Sequence, residues 1–233
     1  HAIKKILTKY DYKNKNLLEI GYGAGEIFST YIQMGINCYG YDYSEEAYKY
    51  VKENYETNKI VLYRNEKDIE QSKYDFVIAC EVLEHIEDDC QALLTWKSYI
   101  KNDGILVISV PAHQNRWDFN DIWSGHYRRY EKNNLIELCT KTGLQMINFY
   151  SYDFPSCYLL DPIRASRLEK NISNSMEECT KKSGIDRDTN KILRLVSNEH
   201  FLYPLIKFQE LFYKYDWGSA CILSCRIATE EEK

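Results

Sequence analysis

The 233 residues are 44% hydrophobic and 28% charged, a composition that excludes a disordered chain and suits one generous globular domain, or one domain with an appendage. The formal net charge of −5 supplies no global basic field to gather nucleic acid or an anionic membrane, and leaves only a local basic patch open. No apolar run reaches the roughly 18 to 20 residues of a membrane span, and His1 opens the sequence without a signal-peptide pattern, so a cytoplasmic location is expected.

After a short leading helix, Asn16 to Ile20 reads as a buried strand that stops at a glycine cluster, and Ile27 to Met34 continues with helical spacing. Asn37 to Asp42 forms a second strand ending in an acid. Ser44 then caps a helix through about Asn54, with Glu45 and Glu46 in the first turn, where carboxylates complement the helix dipole. Lys59 to Tyr63 and Tyr74 to Ala79 are further strands, Asp88 to Ile100 is helical, and Asn102-Asp103-Gly104 turns the chain into a strand at Ile105 to Val110. A long loop rich in aromatic and charged residues follows Pro111 and precedes a helix at Asn133 to Thr142. Leu144 to Tyr152 and Ala220 to Ile227 complete the strands, and Glu230 to Lys233 is a charged, frayed end.

This alternation predicts an α/β fold: a doubly wound, seven-stranded, mostly parallel sheet with helices on both faces and a helical insertion before the last strand. The expected organisation is a core over residues 1–154, a helical insertion or lid over 155–217, and the last strand with its charged tail over 218–233. Ligands should lie beyond the carboxyl ends of the strands. The eight cysteines, among them Cys38, Cys139 and Cys179, are scattered without a zinc-type pair and are expected to be reduced and buried.

The segment Leu17-Leu18-Glu19-Ile20-Gly21-Tyr22-Gly23-Ala24-Gly25 places three glycines at alternate positions between a strand and a helix, so a ligand can approach the backbone closely. A dinucleotide fingerprint would put its third glycine at position 26, where Glu26 stands. A G-x-G-x-G loop preceded by an acid instead resembles the first motif of class I S-adenosylmethionine-dependent methyltransferases. The resemblance continues in order through Tyr74-Asp75-Phe76-Val77-Ile78-Ala79-Cys80-Glu81-Val82-Leu83-Glu84-His85 and Asn102 to Pro111, covering roughly residues 15 to 155. It implies that Gly21, Gly23 and Gly25 line the cofactor, that Glu19 positions its amino acid end, and that Asp42 accepts hydrogen bonds from both ribose hydroxyls. A carboxylate suits a vicinal diol because it offers only acceptors. Glu66 or Asp68 would approach the adenine, and Tyr22, Tyr43, Cys80 and Glu81 are further candidates for the same pocket.

Methyl transfer from a sulfonium needs a nucleophile held in line in a site that excludes water. If Glu81 to His85 makes a helical turn, Glu81, Glu84 and His85 share one face. With His126 from the long loop they could hold Mg2+ or Mn2+. This set resembles the E-x-x-E-H segment and later histidine of metal-assisted ubiquinone O-methyltransferases and small-RNA terminal 2′-O-methyltransferases. The same Glu-His pair also occurs in metal-free relatives, with capping acids and a packing histidine. Without a metal, His126 or His85 is the candidate general base, with His113 a further candidate. Trp117, Tyr127, Arg128 and Arg129, beside Arg116, Trp123 and Tyr130, could hold an anionic or planar acceptor; the plainer reading is that the arginines pair with Asp118 and Asp121.

In the insertion, Phe201, Leu202, Leu205, Ile206, Phe208, Leu211 and Phe212 make an apolar helical stripe, with Pro204 tolerable in a first turn. Packing on the sheet, a lid, a homodimer contact and docking on a membrane surface are all readings of that stripe. Arg164, Arg167 and Lys170 would suit an anionic acceptor or a solvated face. The leading expectation is O-methylation of a small-molecule, glycan or lipid-linked acceptor, with S-adenosyl-L-methionine as cofactor. Terminal RNA 2′-O-methylation is disfavoured by the acidic balance. The cofactor motifs are equally compatible with N-methylation and with a noncatalytic cofactor-binding subunit.

Overall fold

The structure, a computed structural model, describes residues 1–55, 59–158 and 199–229. In chain order its elements are α1 (Ala2–Leu7), β1 (Asn16–Ile20), α2 (Phe28–Gln33), β2 (Asn37–Tyr41), α3 (Glu45–Asn54), β3 (Ile60–Tyr63), β4 (Tyr74–Cys80), α4 (Asp89–Tyr99), β5 (Ile100–Pro111), α5 (Phe119–Ser124), α6 (Lys132–Lys141), β6 (Leu144–Tyr152), α7 (Glu199–Glu210) and β7 (Ala220–Ile227). Local chemistry fixes several of these ends. Ser44 caps α3 by accepting from the Ala47 amide at 3.2 Å, a contact of about 1 kcal/mol, and Asp88 caps α4 through the Gln91 amide.

The seven strands form one sheet in the order β3-β2-β1-β4-β5-β7-β6, with β7 antiparallel to both neighbours and the remaining pairs parallel. Continuous apolar runs such as Phe76-Val77-Ile78-Ala79 are buried on both faces, as a covered parallel sheet requires. Leu93 and Trp96 of α4 and Leu135 of α6 pack on one face. Ile6 of α1, Phe28 and Tyr31 of α2 and Val51 of α3 pack on the other. Strand order reverses between β1 and β4, so a crevice opens beyond their carboxyl ends, where this architecture places ligands.

Three expectations need correction. The turn at Asn102-Asp103-Gly104 is absorbed into β5 as an irregularity: Tyr74 pairs with Ile100 and Phe76 with Ile105. A side chain at Gly104 would meet the Tyr74 carbonyl oxygen at 3.0 Å, so the close backbone approach, rather than a chain reversal, is what the glycine serves. The long loop contains α5, which is closed at its start by a reciprocal capping box between Asp118 and Asp121 and at its end by Gly125 in the left-handed region. Pro204 lies inside α7 rather than in its first turn, and it deprives the helix of one amide donor.

Seven cysteines are described as free thiols, five of them buried. Cys179 and the basic residues Arg164, Arg167 and Lys170 lie outside the described residues, as do the side chains of Phe201, Leu202 and Leu205. Among the described residues no helix is long and apolar enough to cross a membrane.

Candidate functional site

The loop after β1 is built around one carboxylate. Gly21, Gly23 and Gly25 take φ of 68°, 51° and 69°, the left-handed region that favours glycine. The Gly21 amide donates to the Tyr41 carbonyl at 2.8 Å, and the Gly23 amide donates to Asp42 Oδ2 at 2.8 Å. Asp42 Oδ1 accepts from the Ser44 amide at 2.9 Å. Each carboxylate oxygen thus keeps acceptor capacity beyond one backbone bond. Burial raises the Asp42 pKa, and the Ser44 and Gly23 amides work against that rise. The Val82 side chain stands where a Cβ of Gly21 would be, which brings the β1 and β4 loops together.

Glu19 is 5% exposed, and its Oε2 has no hydrogen-bond partner. Burial, then the Asp42 charge, pushes its carboxyl well above the usual range. A buried orphan acceptor at the head of a crevice suits a donor brought by a ligand. Of the other residues expected here, Tyr22 is turned into the core against Phe28, with ring centroids 5.5 Å apart, so only its backbone belongs to the loop. Tyr43 is exposed next to Asp42. Cys80 is half-buried at the end of β4, and Glu66 is exposed beyond β3, where it accepts from the Tyr99 hydroxyl at 3.2 Å.

Beyond β4 the backbone does not make the simple helical turn expected of it. Glu81 takes φ 54°, and the short 3-10 turn begins only at Leu83, so Glu81 precedes the face shared by Glu84 and His85. The Oε1 of Glu81 accepts from Ser109 Oγ at 2.8 Å and from the Tyr152 hydroxyl at 2.9 Å. Although open to the crevice, Glu81 is surrounded closely enough for burial to raise its pKa, against the Ser109 and Tyr152 hydrogen bonds.

Glu84, His85 and His126 offer ligand atoms that all lie within 4.8 Å of one another. The His126 Nε2 is 4.0 Å from Glu84 Oε1, and the two imidazoles meet edge to face at 4.7 Å. Glu84 is wholly buried with neither oxygen hydrogen-bonded, and His85 Nδ1 is equally unpartnered. Burial, then the charge of Glu81, pushes the Glu84 carboxyl well upward. Burial, then His126, lowers His85 to about 4, so its imidazole is neutral near pH 7 and able to donate a lone pair. A hard divalent cation would satisfy these orphaned atoms, and the set fits such an ion chemically.

His126 is held from the other side. Its Nδ1 lies 2.8 Å from Asp121 Oδ1, and Arg129 Nε donates to both Asp121 oxygens at 2.9 Å. Asp121 also accepts from the Asp118 amide at 2.9 Å. Against its own burial, the His126 bond, that amide and Arg129 hold its carboxyl below the ordinary range. Asp121, Ser109 and Tyr152 are site residues that sequence reasoning missed. The Asp118-x-x-Asp121 capping pattern was a usable signal for the first, whereas nothing local marked the other two.

The expected acceptor residues divide. Arg128 is held by Asp89 and the Glu87 carbonyl, both at 2.6 Å, and Arg129 by Asp121 and the Ala112 carbonyl. Pairing with acids therefore describes both arginines, in the second case through Asp121. His113, at φ 66°, lies 3.2 Å from Glu131, so its imidazole already has a carboxylate neighbour. Trp117 is half-buried and Tyr127 is half-exposed. Phe154 packs on Phe212 at 4.9 Å and on Trp217 at 5.3 Å, and Arg116 donates to the Trp217 carbonyl at 3.2 Å.

A crevice at the β1/β4 switch point, floored by a glycine loop and closed by an acid at the end of β2, defines a class I methyltransferase domain, whose cofactor is S-adenosylmethionine. Residues 1–149 match the model of a family described as a methyltransferase domain, and the chain belongs to that family. A ubiquinone biosynthesis O-methyltransferase of Rickettsia canadensis is 33% identical over 118 residues, which cover 47% of this chain and 48% of the relative. The enzyme of the same name from Haemophilus ducreyi is 26% identical over 105 residues, covering 41% and 44%. The chain thus spans about half the length of the curated relatives it matches. Among solved structures, an S-adenosylmethionine dependent methyltransferase from Mesorhizobium loti superposes with TM-score 0.60 at 12% identity, over 97% of this chain and 95% of that one. Phosphoethanolamine N-methyltransferase 2 of Haemonchus contortus, in complex with S-adenosyl-L-methionine, gives TM-score 0.57 at 16% identity, over 97% and 52%. These two likenesses concern the fold.

Proposed function

We propose that this chain transfers the methyl group of S-adenosylmethionine to an oxygen of a small acceptor, with a divalent cation of the magnesium or manganese type held by Glu84, His85 and His126. The observation that carries the reading is the buried, unpartnered carboxylate of Glu84 beside two imidazoles, all within 4.8 Å. A bound cation would withdraw charge from an acceptor hydroxyl and lower its pKa. Glu81, expected as a fourth ligand, has its Oε1 occupied by Ser109 and Tyr152 and stands outside the cluster of three. The ubiquinone O-methyltransferase relatives support oxygen as the acceptor atom.

For the cofactor, Asp42 would receive the ribose hydroxyls, Glu19 the amino acid end, and the loop Gly21 to Gly25 would lie against the methionine part. The aromatic group of Phe154, Phe212 and Trp217 with Arg116 supports an acceptor with an apolar or lipid-linked body. The insertion at 155–217 would be the acceptor-facing part, and 1–154 with 218–233 the cofactor-binding core.

The test is transfer of labelled methyl from S-adenosylmethionine to simple catechols, phenols and primary amines, in Mn2+ and in EDTA. Label on a phenolic oxygen that falls at least tenfold in EDTA is the expected result. Label on the amines alone would overturn the oxygen reading, and equal labelling in EDTA would overturn the cation.

A further inference from the structure

We infer that Asp121 is a positioning residue that fixes the proton of His126 on Nδ1, so that the Nε2 lone pair faces Glu84 and His85. The inference rests on the cation site proposed above only for its consequence; the tautomer is argued from the donors that surround Asp121. Asp121 is fully buried, and its carboxylate accepts twice from Arg129 Nε and once from the Asp118 amide, with His126 Nδ1 2.8 Å from its Oδ1. An ionised carboxylate offers no proton, so the 2.8 Å contact at His126 Nδ1 requires the proton on the imidazole. With the Nδ1 proton held there, the lone pair of the uncharged ring lies on Nε2, which is 4.0 Å from Glu84 Oε1.

The short helix α5 makes this arrangement rigid. Asp121 belongs to the capping box that starts α5, Gly125 ends the helix, and His126 follows at once, with its own amide donating to the Asp121 carbonyl at 2.9 Å. The next amide, of Tyr127, donates to the Glu84 carbonyl at 2.7 Å and locks the loop onto the turn that carries Glu84 and His85. Arg129 is the counter-ion that makes a buried Asp121 charge tolerable. Carboxylate support of this kind orients a ligating imidazole and raises its basicity, and its loss weakens metal binding on the order of 10- to 100-fold.

Two readouts on the full chain test this. The 15N chemical shifts of the His126 ring in the ion-free wild-type protein should report the proton on Nδ1; a ring carrying its single proton on Nε2 would overturn the inference without any variant. Asp121→Asn should then lose the fixed tautomer and weaken Mn2+ binding, read by calorimetry without acceptor, by about 10-fold or more, with S-adenosylmethionine affinity as the control for folding. Unchanged Mn2+ affinity in a folded Asp121→Asn protein would overturn it. A wild-type protein that does not bind Mn2+ would instead sink the cation reading, and the ring shifts would still decide the tautomer.

Discussion

A wholly buried carboxylate with no hydrogen-bond partner destabilises a fold until a cation compensates it. Glu84 is such a group, so Glu84→Gln, which keeps the shape and removes the charge, should stabilise the ion-free protein. The expected gain is on the order of 1 to 3 kcal/mol, measured by urea unfolding in EDTA, and the same variant should no longer gain thermal stability from Mn2+. A loss of stability in EDTA would mean that Glu84 has a partner other than an ion. His126→Ala addresses the chemistry rather than the fold: turnover should fall far more than cofactor affinity, and equal turnover would remove His126 from the reaction. The residue types of this site were legible in the sequence, since Glu84, His85 and His126 were all candidates. Their support was less so, because Tyr152 reaches Glu81 across 71 positions and no local pattern announces a contact of that separation.

At the scale of elements, β1, β4 and β5 are tied at their amino ends by Asp75. Its Oδ2 accepts from the Asn16 amide at 2.9 Å and its Oδ1 from Lys101 Nζ at 2.9 Å. Against partial burial, these bonds hold the carboxyl below its ordinary range. A folded pKa below the unfolded value of about 3.9 stabilises the fold above that value, and the contribution is lost as pH falls through the folded pKa. Asp75→Asn should therefore cost about 1 kcal/mol at neutral pH, and the gap from wild type should close as the medium is acidified into the range where Asp75 titrates. A gap independent of pH would show that packing, not charge, is what Asp75 supplies. The strands were readable because covered parallel strands are continuous apolar runs, as in β1 and β4. The helix α5 was hidden because its six residues are too short to show a period, and the Gly104 segment looked like a turn because a strand irregularity uses the same residue types.

For the whole molecule, the cofactor crevice exists because strand order reverses between β1 and β4, which sets the Gly21 loop against Val82 of the next loop. Gly21→Ala would demand φ 68° of an alanine and place its Cβ on Val82. It should cost roughly 1 to 2 kcal/mol of stability from the backbone alone and weaken cofactor binding more than tenfold by calorimetry; wild-type affinity in this variant would show that the loop does not line the crevice. Asp42 is the residue on which binding of S-adenosylmethionine in this crevice should depend most. Calorimetric titration of the wild-type protein beside Asp42→Ala, with circular dichroism to establish that both are folded, tests it most directly. The wild type should bind saturably, and the affinity should weaken on the order of 100-fold in the variant, as loss of hydrogen bonds to a charged acceptor implies. No binding by the folded wild type, or equal binding by both proteins, would contradict it.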